Sequence, residues 1–222
     1  MAGGTLHRIR TVVRPLVPRR FHAVATRAVG EVVAIGLSGT GVSCPCCGAR
    51  LRRFVAYPSL YCPRCGSYER HRLLALQLQR DPGLLSPPLR LLQVSPDRPL
   101  ERLLAGRGVE RVSIDLDNPN VDLLMDVHAL GFPDESFDAV LALHVVDAVA
   151  DQQRALAELH RVLRPDGRAI FQVPVPEQRR LLANLAGAGF DTEILRGDDF
   201  GADAVNTYAL IPEEETYVCR RL

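Results

Sequence analysis

The chain has 222 residues, a formal net charge of +1, 47% hydrophobic and 24% charged residues, a balance that excludes a disordered or fibrous protein and a general polyanion binder. A chain of 222 residues has room for one sizeable α/β domain plus a small accessory module. Its basic residues are all arginine, a bias that carries no functional weight, and the stretch up to Arg53 holds Glu31 as its only acid.

Residues 1–40 read as a basic, partly apolar arm. The first twenty are arginine-rich and acid-free, like an organellar presequence, but no cleavage signal or secretory apolar region follows them. Residues 23–37 are apolar, yet Arg27 and Glu31 interrupt a run already too short to span a membrane. The expected compartment is the cytoplasm. Gly39, Gly41 and Ser43 suggest a flexible entry to a small module over residues 41–72, and residues 73–222 form the main domain.

The module carries two CxxC-Gly pairs. Taking Cys44, Cys47, Cys62 and Cys65 gives C-x2-C-x14-C-x2-C, the spacing of a zinc ribbon. Two intervening residues let one tight knuckle present both sulfurs to a tetrahedral ion. Four thiolates leave no position for water, so the expected Zn2+ is structural. Cys46 is left over, and Cys219 reads as a small core residue. From Ser67 a helical pattern with Glu69 in its first turn and Leu73, Leu74, Leu76 and Leu78 runs to Asp81-Pro82-Gly83, bridging module and domain.

Beyond Ser86-Pro87-Pro88 short apolar runs alternate with amphipathic helices, the pattern of βαβ units. The expected fold is α/β, a Rossmann-like mostly parallel sheet with helices on both faces, preceded by the zinc-ribbon module. Strands are expected at 89–94, 111–116, 137–143, 168–173 and 190–195, with a short one at 121–125. Asp151 should cap a helix with Leu156, Leu159, Val162 and Leu163 on one face, and Pro165-Asp166-Gly167 should turn the chain into the next strand. A helix over 177–187 should bury Leu181, Leu182 and Leu185. Near the end, residues 208–211 and 216–220 flank Pro212-Glu213-Glu214-Glu215 and suggest a hairpin.

In such a sheet the ligand crevice lies at the carboxyl ends of the strands, where strand order reverses. The residues to watch are Ser95 to Pro99, Asp115 with Asp117, Asp126-Val127-His128, His144 to Asp147, and Pro174 to Pro176. One carboxylate accepts from both hydroxyls of a ribose, and Asp115 is the best candidate. Asp126, followed by the backbone amide of Val127, suits the exocyclic amine and a ring nitrogen of adenine.

Residues 112–116 (VSIDL), 125–140 (MDVHALGFPDESFDAV) and 159–171 (LHRVLRPDGRAIF) resemble the class I S-adenosylmethionine (SAM)-dependent methyltransferase superfamily. Residues 62–72 (CPRCGSYERHR) resemble a subgroup whose methyltransferase domain follows a zinc-ribbon-like module. The resemblance implies SAM as cofactor, with Asp115 and Asp126 on its nucleoside, Ser95 to Asp97 near its methionine end and His144 beside it. The superfamily's first loop is usually glycine-rich, whereas residues 94–99 (VSPDRP) hold no glycine; the narrower subgroup shares this departure. In the superfamily's His-Val-Leu-Glu-His-Val motif, Ala148 replaces the second histidine.

The expected activity is therefore methyl transfer to an unidentified acceptor. Methyl transfer needs little acid-base chemistry, so no catalytic base is assigned; His144 and Asp147 are candidate substrate-facing groups, with His144 equally suited to a structural hydrogen bond. Two alternatives stand beside it. One is a non-catalytic binding or scaffold protein on a decayed methyltransferase fold. The other is an RNA-modifying protein gripping phosphates with arginines 50, 52, 53, 64, 70 and 72, although few aromatic residues accompany them, so nucleic acid is not favoured as a partner. Oligomeric state is not legible.

Overall fold

Alternation of apolar residues along the strands sets two faces of one sheet, each covered by helices. The computed structural model describes residues 22–56 and 58–221; the expected basic arm falls outside them as far as residue 21. A helix, α1 (His22–Gly36), leads into the module strands β1 (Ser38–Ser43), β2 (Arg50–Leu51), β3 (Val55–Ala56) and β4 (Leu60–Tyr61). Then come α2 (Glu69–Arg80), β5 (Arg90–Val94), α3 (Arg98–Leu104), β6 (Glu110–Asp115), β7 (Leu123–Leu124) and β8 (Phe137–Leu143). The chain closes with α4 (Gln152–Val162), β9 (Leu163–Gln172), α5 (Gln178–Gly187), β10 (Phe190–Arg196), α6 (Ala202–Tyr208) and β11 (Glu215–Arg221).

The main sheet has the order β10-β11-β9-β8-β5-β6-β7. It is parallel throughout except at β11, which runs antiparallel to both β9 and β10. On one face Leu92, Val94, Val140, Ala142, Phe171, Tyr217 and Cys219 pack with Leu156 and Leu159 of α4 and Leu181 and Leu185 of α5. On the other, Leu91, Leu141, Ile170 and Val218 pack with Leu74 and Leu78 of α2 and Leu100 and Leu104 of α3. The expected Rossmann-like sheet with helices on both faces is the architecture observed, and the helix leaving the cysteine module is itself one of its covering layers.

Four local expectations are corrected. Residues 208–220 form no hairpin: residues 202–208 are helical, Ala209 ends that helix at φ 45°, and β11 enters the sheet interior. Burial on both of its faces, by Tyr217 and Cys219 on one and Val218 on the other, decides that placement over a local turn. Leu182 is 40% exposed, because a helix lying on a sheet buries the i, i+4 stripe of Leu181 and Leu185 and not their neighbour. Pro165, Asp166 and Gly167 lie inside β9, in an irregularity of its pairing with β8 where Asp166 has φ 62°. Gly39 and Gly41 belong to β1, not to a flexible entry: a Cβ on either would stand 2.4 Å or 2.3 Å from Arg52, so glycine permits the close pairing with β2.

Candidate functional site

The two CxxC-Gly segments fold into matching knuckles. Gly48 N–H donates to the Cys44 carbonyl at 2.8 Å and Gly66 N–H to the Cys62 carbonyl at 2.8 Å, with both glycines at positive φ. The Sγ atoms of Cys44, Cys47, Cys62 and Cys65 all lie within 4.8 Å of one another. Cys44 and Cys65 are separated by 3.6 Å and Cys47 and Cys62 by 3.8 Å. A tetrahedral zinc with Zn–S bonds of about 2.3 Å sets sulfurs about 3.8 Å apart, whereas a disulfide needs about 2.0 Å. Neighbouring thiols, Cys46 first, push the Cys44 thiol down, and beside it those of Cys46, Cys47 and Cys62 are pushed up. Against the opposing hydrogen bond of Cys44, those of Cys47 and Cys62 also lower the Cys65 thiol. Cys46 is a neighbour of Cys44 but not one of the four mutually close sulfurs, and its thiol donates to the His71 carbonyl at 3.4 Å.

The second site lies at the carboxyl edge of the sheet. After β5 the order runs through β6 and β7 on one side and β8 on the other, so the crevice opens at the end of β5. Ser95 takes φ 48° there, a left-handed conformation usually left to glycine, and its amide donates to the Ile114 carbonyl at 2.8 Å. Its side chain is one of the groups that lower the carboxyl of Asp115, at the end of the neighbouring β6. One oxygen of Asp115 also accepts the amides of Asp117 and Asn118, each at 3.0 Å. Partial burial would raise the Asp115 carboxyl, but these hydrogen bonds outweigh it and hold the group below the usual carboxylate range.

Asp97 begins α3 and accepts the Leu100 amide at 3.1 Å with one oxygen. Its other oxygen lies 3.3 Å from Arg70 Nη2 and 2.7 Å from His71 Nε2, both on the first turn of α2. The Tyr68 amide donates to His71 Nδ1 at 3.0 Å, which leaves Nε2 to carry the ring proton. That proton is not aligned on Asp97 despite the short contact. Burial chiefly depresses the His71 pKa.

His144 follows β8 at φ 53°, anchored by its amide to the Gln172 carbonyl at 2.8 Å, with Nε2 3.6 Å from a carboxylate oxygen of Glu214. Arg70 Nε, His71 Nε2, His144 Nε2 and Asp147 Oδ1 are buried polar atoms without an aligned hydrogen-bond partner. Buried polar groups are ordinarily satisfied, so these orphans, two on the first turn of α2 and two on the segment after β8, suit a polar ligand.

Asp126 follows β7 on the outer side. Its carboxylate accepts from the His128 amide at 2.9 Å and lies 2.6 Å from His128 Nδ1. Val127 buries its side chain in the core. A shallow cavity of about 340 Å³ beside this segment is lined by His128, Ala129, Leu130, Arg154, Ala157 and Glu158 and belongs to the α4 face, not to the crevice at β5. Thus Ser95 and Asp97 follow β5 and Asp115 ends the neighbouring β6, while Asp126 with Val127 follows β7 farther along the edge. The sequence reading assigned no crevice role to His71, Arg70 or Glu214; the one local signal was their polarity beside buried leucines on α2 and before β11.

Several of the arginines named for the RNA-binding alternative already have protein partners. Arg72 is fully buried, Arg70 meets Asp97, Arg64 pairs with Glu31 at 3.3 Å, and Arg52 donates to the Gly36 carbonyl.

Residues 102–171 match a protein family described as a methyltransferase domain. That span contains Asp115, Asp126 and His144 but neither the cysteine module nor Asp97. The mitochondrial arginine-hydroxylase of Rattus norvegicus is 44% identical over 55 residues, 25% of this chain and 16% of that protein. Demethylmenaquinone methyltransferase of Thermus thermophilus is 46% identical over 52 residues, 23% of this chain and 24% of that protein. The matched stretches are thus short parts of both curated relatives. A SAM-dependent methyltransferase of Archaeoglobus fulgidus shares the fold over 70% of this chain and 95% of its own, with a TM-score of 0.53 and 14% identity. The fold is the Rossmann-like methyltransferase fold. No helix among the described residues is long and apolar enough to cross a membrane.

Proposed function

We propose that the protein is a SAM-dependent methyltransferase carrying one structural Zn2+ on Cys44, Cys47, Cys62 and Cys65. The observation that carries the reading is Asp115 at the end of β6, its Oδ1 already held by the amides of Asp117 and Asn118, beside the left-handed Ser95 loop at the point where strand order reverses. When bound, SAM would supply an electrophilic methyl carbon. Asp115 would hold its ribose, Asp126 and the Val127 backbone its adenine, and Ser95 and Asp97 its methionine end. His144 and Asp147, each with a buried orphan atom, are assigned to the methyl acceptor. Zinc-bound thiolates suit a reducing compartment such as the cytoplasm.

Calorimetric titration with SAM and S-adenosylhomocysteine tests this reading, and saturable binding of both is the expected result. A second reading, a binding or scaffold protein on this fold that transfers no methyl group, is favoured by the carboxylate contacts that Asp115 and Asp126 already make within the chain. Binding without turnover across candidate acceptors would select it, and binding of neither ligand would remove the cofactor reading.

A further inference from the structure

We propose that Arg70, on the helix leaving the cysteine module, anchors the carboxylate of the cofactor's amino-acid end, with Asp97 taking the ammonium. This rests on the SAM reading above. With the ribose at Asp115 and adenine toward Asp126 and β7, the remaining end of the molecule points the opposite way along the sheet edge, toward β5 and β8. There the chain presents a carboxylate and a guanidinium 3.3 Å apart, the charge pair complementary to an α-amino-acid zwitterion.

The loop after β5 explains why a side chain is needed. An amino-acid carboxylate is commonly met by backbone amides at a loop or helix N-terminus. Here Pro96 and Pro99 have no N–H, and Asp97 itself occupies the Leu100 amide. Asp97 also places negative charge at the start of α3, so a carboxylate there requires a cation from another element.

Arg70 supplies it in a fixed pose. Its guanidinium lies over the Tyr68 ring, 5.0 Å from the centroid, and its Nε is buried without a partner. The side chain is 25% exposed, so the remaining donors of its fork are open to a ligand. His71, whose side chain is 1% exposed, lies 2.7 Å from the same Asp97 oxygen. The Arg70–Asp97 contact is itself partly solvated and weak, and exchanging it for ligand contacts costs little.

The test compares two probes on the full chain. S-adenosylhomocysteine carries the amino-acid zwitterion; methylthioadenosine keeps the nucleoside and thioether but lacks both the amino and the carboxyl group. Arg70→Ala should weaken S-adenosylhomocysteine roughly tenfold or more and leave methylthioadenosine unchanged, since only the former loses a charge-assisted pair. Arg70→Lys should fall between, keeping the charge and losing the fork. Thermal melts of each variant establish that the fold is intact. Undiminished S-adenosylhomocysteine binding to Arg70→Ala, or equal loss for both probes, would overturn the assignment while leaving the cofactor reading standing. Binding of neither probe to the wild type would overturn the cofactor reading and the anchor with it.

Discussion

The guanidinium of Arg72 donates to the carbonyl oxygen of Tyr208 at 2.7 Å, joining α2 to the end of α6 across 136 positions of sequence. The same group donates to Ala209 O at 2.8 Å, and to Leu60 O and Ser67 O of the module, each at 3.0 Å. Its charge sits over the Phe54 ring, 4.2 Å from the centroid. One buried cation thus satisfies carbonyls on both sides of the boundary between module and sheet.

Replacing Arg72 by Met should therefore destabilise the protein by about 3–5 kcal/mol, because the carbonyls stay buried after their donor is gone. Arg72→Lys should recover only part of the loss, since an ammonium cannot reproduce the planar fork. Urea midpoints for the three proteins measure this. A Met variant as stable as wild type would show that water replaces the guanidinium at the boundary.

Metal analysis of the reduced protein should find one zinc per chain. Cys62→Ser should lose it, because zinc held by thiolates contributes on the order of 10 kcal/mol of binding free energy to the folded state. Leu74 and Leu78 of α2 lie in the core of the main sheet, so disorder in the module should spread into this helix and no farther than that face. Hydrogen exchange on Cys62→Ser should show faster exchange through residues 44–80, with β8 and β9 still protected. Metal-free protein with a fully protected module would contradict the assignment.

The parts legible in sequence were those settled locally. The knuckles follow from short spacing, and strands such as β8 are buried on both faces and read as continuous apolar runs. Asp151 was legible as a cap because it precedes the helix it serves, accepting the Arg154 amide at 3.0 Å. Partners far apart in sequence decided the rest. β11 was hidden because its acidic approach imitates a turn, while its true pairing is with β9 and β10. His71 was hidden because Asp97, the carboxylate beside it, lies beyond a helix and a strand. Asp97 was legible as a crevice residue, but not its double duty as a helix cap and a contact of α2.

Asp138 gives a pH-dependent test of the sheet. It accepts the Arg90 amide at 2.7 Å and pairs with Arg164. Partial burial would raise its carboxyl, but the amide and Arg164 outweigh that and hold it below its ordinary value of 3.8. A carboxyl lowered by folding stabilises the protein above its unfolded value and loses that contribution as pH falls through the folded one. Asp138→Asn should thus be less stable than wild type at pH 7, with the gap closing as pH falls below that ordinary value. A gap independent of pH, read from urea midpoints, would assign the loss to packing.

Asp115 is the residue on which the cofactor reading can be tested most directly. Its Oδ1 accepts the amides of Asp117 and Asn118, so its geometry is set before any ligand arrives. Asp115→Ala removes two charge-assisted bonds to the ribose together, each contributing on the order of 1.5–3 kcal/mol, and should weaken SAM roughly tenfold or more even with compensation by water. Asp117→Ala is the matched control: the backbone N–H that Asp117 donates survives the substitution, and affinity should change little. Because Asp115 also holds its own loop, circular dichroism and melting temperature must show both variants folded before titration. Asp115→Asn separates the two roles, keeping an acceptor for the loop while losing the charge, and should bind SAM between wild type and the alanine variant. Equal affinity of wild type and Asp115→Ala would place the ribose elsewhere along the sheet edge.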